Sequence, residues 1–238
     1  MYNNSRMEEI TLTQEELIHE IMNNNMTREK EEKVRKYKIL NTYAKKGQTV
    51  MAGSSLMEYF PVNELQQTLE KQTIIYNRGI AGYVTSELLN SLEECIVELE
   101  PSKLFINIGT NDISSADGEY HVGHLLANYN EILTQIGARL PECKVYVMAY
   151  YPVNAKADFS GVDQEMKAGM FSTRTNAALR EANAEVEKLA AQHGYAFINV
   201  NEGLTDEEGN LNEECTMDGI HMYANGYAVV LNNLKEYL

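Results

Sequence analysis

The stretch KLFINIGTND, residues 103–112, decides how this chain folds. A short run of mostly apolar and β-branched residues ends at Gly109 and gives way to Thr110-Asn111-Asp112. Such a run, apolar on both alternating faces and closed by a turn residue, reads as a strand buried on both sides. Four more runs share this character: TVMAG at 49–53, TIIYN at 73–77, KVYVMAY at 144–150 and YAFINV at 195–200. Helical periodicity fills the gaps, over about 84–98, 124–139 and 172–193, the last stopped by Gly194, and a final helix spans about 225–237. Five strands alternating with helices predict an α/β fold, a parallel sheet between two helical layers.

Upstream of this pattern the chain is different. Thr13 and Glu16 form a capping box that opens a short helix, TQEELIHEIM, and Thr27 can cap a second, charged helix over 28–46 that stops at Gly47. Val34, Tyr37, Ile39 and Leu40 give the second helix an apolar stripe with which to pack. The expected organisation is a helical N-terminal extension over 1–47 and one α/β domain over 48–238. No internal repeat or low-complexity segment interrupts either part.

In an open α/β sheet, ligands bind beyond the carboxyl ends of the strands. The segments found there are Gly53-Ser54-Ser55-Leu56, Asn77-Arg78-Gly79-Ile80-Ala81-Gly82 and Gly109-Thr110-Asn111-Asp112, with Asp218-Gly219-Ile220-His221 before the last helix. Each alone is a common turn or cap. Together they contain the parts of an acyl-transfer site. A hydroxyl nucleophile (Ser55) needs a base (His221), and the base needs an orienting carboxylate (Asp218). The developing oxyanion needs preorganised donors, for which the Ser55 and Gly82 amides and the Asn111 side chain are candidates. A glycine at 82 lets the backbone approach a substrate without a Cβ in the way.

These four blocks, AGSSL, NRGIAG, IGTND and DGIHMYANGY, resemble the SGNH hydrolases, the GDSL-like lipases and acylhydrolases, including their platelet-activating-factor acetylhydrolase-like branch. They stand in the family's order and cover 49–238. The resemblance implies the flavodoxin-like α/β/α sandwich with five parallel strands. It also implies Ser55, Asp218 and His221 as a catalytic triad, and Ser55, Gly82 and Asn111 as the oxyanion hole. The chain departs from the family at Ser54, where the name motif has Asp.

The remaining histidines compete poorly with His221. His19 sits on the N-terminal helix, His193 ends a long helix, and His121 with His124 has helical spacing for a metal pair but no further ligand cluster nearby. The reading therefore calls for no metal and no cofactor. Cys95, Cys143 and Cys215 are an odd, widely spaced set, better suited to a reducing compartment than to disulfides; Cys95 and Cys143 read as small buried hydrophobes.

A formal charge of −15 argues against a nucleic-acid partner, and no apolar run is long enough to span a bilayer. The N-terminus carries no basic segment leading into an apolar one, so the expected location is cytoplasmic. The expected function is a serine esterase or acylhydrolase acting on small acyl esters, O-acetyl groups or lysophospholipids. The alternative is a non-catalytic carbohydrate- or lipid-binding module on the same fold. Tyr83, Tyr151 and the apolar residues of the 151–171 loop are expected to line the substrate's path, and the helical extension could support a homo-oligomer.

Overall fold

A computed structural model describes residues 13–114 and 122–238, without the side chains of residues 15, 16 and 19; His121 lies outside the described residues. In chain order the elements are α1 (Gln14–Asn41), β1 (Thr49–Gly53), α2 (Ser55–Glu58), α3 (Val62–Leu65), β2 (Ile75–Gly79), α4 (Thr85–Asn90), α5 (Leu92–Cys95) and β3 (Lys103–Asn107). They continue with α6 (Thr110–Ile113), α7 (Val122–Arg139), β4 (Lys144–Met148), α8 (Gln164–Phe171), α9 (Asn176–Gln192), β5 (Ala196–Ile198) and α10 (Ala224–Leu234).

All strand pairs are parallel, in the order β2-β1-β3-β4-β5. This is the flavodoxin-like order, and it reverses direction between β1 and β3. Right-handed crossovers then put α4, α5, α7 and α9 together on one face. On the other face Phe60 stacks on Tyr227 at 4.8 Å, joining the α2–α3 segment to α10. Both faces are thus covered, so every residue of β1 is buried, and full burial of a residue such as Val50 is worth about 1.5–3 kcal/mol.

Tertiary pairing, not hydrophobicity, sets the strand ends. β2 runs two residues beyond the expected TIIYN because Asn77, Arg78 and Gly79 pair with Met51, Ala52 and Gly53 of β1. Arg78 is tolerated there because its guanidinium lies over the Tyr37 and Tyr76 rings, at 4.9 and 5.4 Å, and donates to Asn41 Oδ1.

Three helical expectations need correction. The extension holds one continuous helix, not two: Thr27 does not cap but donates its hydroxyl back to Asn23 O at 3.0 Å, which lets the helix pass through. The helix expected over 84–98 breaks at Ser91, whose backbone leaves the helical region and whose hydroxyl donates to Glu87 O. The helix expected from 172 begins at Asn176, because Thr175 caps it by accepting from Ala178 N.

The extension packs on the domain. Tyr37 is buried and donates to Gly79 O at 2.6 Å, and Asn41 donates to Glu94 O and to the Glu98 carboxylate. All three cysteines are unpaired; Cys95 is fully buried, whereas Cys143 is only partly so. Among the described residues no helix is long and apolar enough to cross a membrane.

Candidate active site

β1 ends at Gly53, Ser54 takes an extended backbone, and Ser55 opens α2. The tight strand-to-helix turn leaves the first amides of α2 without partners inside the helix. Ser55 Oγ lies 2.9 Å from His221 Nε2. Ser54 is 1% exposed and its hydroxyl finds no partner among the described residues, so of the two serines it is Ser55 that faces the imidazole.

The His221 side of the site is built within a few residues. Asp218 Oδ1 accepts the amides of Ile220 (2.9 Å) and His221 (2.7 Å), while Oδ2 lies 2.6 Å from His221 Nδ1. Thr216 completes the turn, donating its hydroxyl to His221 O and accepting from Gly219 N. A carboxylate can only accept, so Nδ1 carries the proton and Nε2 presents its lone pair to Ser55. Burial alone would raise the Asp218 carboxyl. Hydrogen bonds from the His221 ring and amide, the His221 charge and the Ile220 amide outweigh it and hold the group below its ordinary value.

Only glycine fits at position 219. Its φ is +88°, and a Cβ there would meet Asn154 O at 2.2 Å and Phe171 Cζ at 2.8 Å. The 151–171 loop backs this turn through Asn154, Phe159 and Phe171. Asn154 N donates to Gly219 O at 2.8 Å and ties the two segments together.

Asn111 opens off β3, at the point where strand order reverses. Its carboxamide is oriented from both ends: Nδ2 donates to Tyr83 O (2.9 Å) and Oδ1 accepts from Arg174 Nη2 (2.6 Å). Guanidinium only donates and a carbonyl only accepts, so the amide has one orientation, and its second N–H meets no acceptor among the described residues. Burial lowers the Arg174 guanidinium to about 10, opposed by the Asp218 charge. Arg174 therefore fixes the Asn111 amide directly and feels the Asp218 charge. A lone Arg in a connecting loop carries no sequence signal, and sequence reasoning missed it.

Gly82 sits in the loop after β2 with φ +74°, next to Tyr83, whose carbonyl takes the Asn111 bond. Gly79 N donates to Asn77 Oδ1 and Ala81 N to Glu58 Oε2, so a carboxylate already occupies the loop where a phosphate cradle would need free amides. Gly82 also lines a groove of about 430 Å³ with Tyr59, Ile80, Met26 and Lys30. Tyr59, which sequence reasoning also passed over, is half-exposed and its ring lies 5.2 Å from that of His221.

Tyr83 and Tyr151 were expected along the substrate's path and need correction. Tyr83 is 4% exposed with its hydroxyl paired to Ser91 Oγ, and Tyr151 is 1% exposed within the core. Both rings belong to the core. His193 follows α9, with its ring Nε2 2.9 Å from Asn130 Oδ1, far from this chemistry in role. No group of three metal-ligating side chains occurs among the described residues, and His121 of the His121–His124 pair lies outside them.

A solved structure from Streptococcus pneumonia, named for platelet activating factor, is 29% identical and superposes with a TM-score of 0.80, covering 93% of this chain and 98% of its own. A GDSL-like lipase from Bacteroides thetaiotaomicron VPI-5482 shares the fold at 21% identity and a TM-score of 0.69, over 86% of this chain and 96% of its own. The N-acylneuraminate cytidylyltransferase of Escherichia coli O18:K1:H7 (strain RS218 / NMEC) is 29% identical over 188 residues. That match takes in 78% of this chain but spans only 39% of the longer relative. The GDSL-like Lipase/Acylhydrolase family model matches residues 49–229, from the first strand into the last helix, and the chain belongs to that family.

Proposed function

We propose that the protein is a metal-independent serine ester hydrolase working through an acyl-enzyme. The observation that carries this reading is the continuous relay from Ser55 Oγ through His221 to Asp218, at 2.9 and 2.6 Å. As an ester enters, Ser55 Oγ attacks the acyl carbon and its proton passes to His221 Nε2. The carbonyl oxygen becomes an oxyanion, met by the Ser55 and Gly82 amides and the second Asn111 N–H. Collapse expels the alcohol, which takes the proton from His221 and leaves the acyl group on Ser55. Water then gives its proton to His221 and attacks the acyl carbon, and Ser55 departs with that proton restored.

The substrate classes this reading favours are small acyl esters, O-acetyl groups and lysophospholipids. The name of the Streptococcus pneumonia structure is consistent with the lipid end of that range. Three unpaired thiols suit a reducing, cytoplasmic setting. The test is Ser55→Ala, which should abolish hydrolysis of p-nitrophenyl acetate and labelling by a fluorophosphonate while circular dichroism stays unchanged. Retained turnover in that variant, or a wild-type Ser55 that never labels, would reject the reading, and the latter would favour a binding-only protein.

A further inference from the structure

We propose that helix α1 is a working part of the esterase site, with Lys30 as a positioning residue for the Gly82 amide. Glycine at 82 admits close approach of a substrate, but it is also the residue least able to hold its own peptides in place. The peptides on either side of that amide are pinned from outside the loop. Lys30 Nζ donates to Gly82 O at 3.0 Å and to both oxygens of Glu87 at 2.7 and 2.9 Å. Glu87 in turn accepts from Val84 N, so Lys30 joins the loop to the start of α4.

On the preceding side, Lys33 Nζ pairs with Glu58 at 2.5 Å, and Glu58 accepts from Ala81 N at 2.6 Å. One turn further along α1, the Tyr37 hydroxyl donates to Gly79 O. Three residues spaced three to four apart, on one face of α1, thus grip the four-residue stretch from Gly79 to Gly82. The loop's own contacts complete the hold: Ile80 N donates to Gly53 O, beside the nucleophile turn, and Tyr83 N to Ile80 O.

Lys30 is well covered, its side chain 19% exposed, and its methylene stem lies against Gly82, where a built Cβ would come within 3.2 Å of Lys30 Cε. A surface ion pair alone would be a weak reason for this arrangement. The bond to the Gly82 carbonyl is what makes it specific to the site. Misplacing a catalytic donor by about 1 Å can cost roughly a hundredfold in rate.

The inference rests on the esterase reading for its catalytic half, and the experiment separates the two. In the chain of residues 1–238, Lys30→Met should lower kcat for p-nitrophenyl acetate about ten- to a hundredfold with KM within about twofold. Hydrogen exchange in peptides covering residues 79–84 should speed up, while the sheet strands exchange as in the wild type. Lys30→Arg, which can still reach both partners, should recover much of the loss. Lys38→Met removes another α1 cation, 4.0 Å from Glu94 and remote from the loop, and should change neither reading.

Unchanged exchange at 79–84 in Lys30→Met overturns the brace, whatever the activity. Faster exchange with undiminished kcat overturns its catalytic role. A wild-type chain no more active than Ser55→Ala overturns the esterase reading and the catalytic role with it, while exchange alone still judges the brace. Should Lys30→Met not fold, Glu87→Gln weakens the hold on Lys30 from the α4 side and is read the same way.

Discussion

Replacing Asp218 with Asn exchanges one carboxylate oxygen for an NH2 group without changing the side chain's shape, and the site leaves that group only two places. If the NH2 faces the Ile220 and His221 amides, which now donate at 2.9 and 2.7 Å, two backbone donors confront a third donor. Each unsatisfied group costs about 1–3 kcal/mol, so this arrangement costs roughly 2–6 kcal/mol. If the NH2 instead faces His221 Nδ1, the backbone bonds survive, but Nδ1 must now accept. The proton moves to Nε2, which then cannot take the Ser55 proton. The second arrangement wins by those roughly 2–6 kcal/mol, and only the disfavoured remainder is active. At about 1.4 kcal/mol per decade, kcat/KM should fall between about thirtyfold and roughly twenty-thousandfold. The assay is p-nitrophenyl acetate hydrolysis on protein whose circular dichroism and melting curve match the wild type. A folded Asp218→Asn variant that keeps more than a tenth of the wild-type kcat/KM would refute the reasoning, because His221 would not depend on Asp218 for its tautomer.

Arg174→Met removes the donor that holds Asn111 Oδ1, so kcat should drop about tenfold or more through a wandering oxyanion donor, with KM little changed; steady-state kinetics reads both. Gly219→Ala puts a Cβ 2.2 Å from a backbone oxygen at a positive φ, which should destabilise the fold by at least about 1–3 kcal/mol, seen as a lower urea midpoint. A Gly219→Ala protein as stable as the wild type would show that the turn can move away from Asn154. The pH dependence follows from the depressed Asp218 carboxyl. The folded state binds this proton less readily than the unfolded chain, so ionised Asp218 stabilises the fold above its ordinary value of 3.8, and the contribution disappears as pH falls through the lower folded value. Urea midpoints measured across acid pH should therefore decline more steeply for the wild type than for Asp218→Asn.

Some of the site was legible in the chain because its chemistry is local. Asp218 and His221 are three residues apart, and their mutual bonds form within a single turn. Ser55 and Asn111 follow buried apolar runs directly, and the end of such a run in a parallel sheet is where a ligand site forms. Arg174, Lys30 and Glu58 left no comparable trace. Each acts on a partner 63, 52 or 23 residues away, and a lone charged side chain in a loop or on a helix is ordinarily solvated surface. Tyr83 and Tyr151 failed for a related reason: standing next to a site residue in sequence says nothing about which way a ring turns, and burial took both into the core.

What the sequence by itself determined is the list of parts: five strands, the layered α/β class and the four blocks to which the proposed nucleophile, base, carboxylate and amide donors belong. Local periodicity and turn chemistry are enough for that, because each is written within a dozen residues. Only the tertiary structure decided how the parts meet. The strand order β2-β1-β3-β4-β5 pairs β1 directly with β3 and so brings Ser55 and Asn111 to neighbouring strand ends, and pairing with β1 carries Gly79 into the sheet. The fold also turned a charged N-terminal helix, unremarkable as a sequence, into the clamp on Gly82. Those outcomes depend on contacts between segments far apart in the chain, where packing and pairing, rather than the character of any one stretch, select the arrangement.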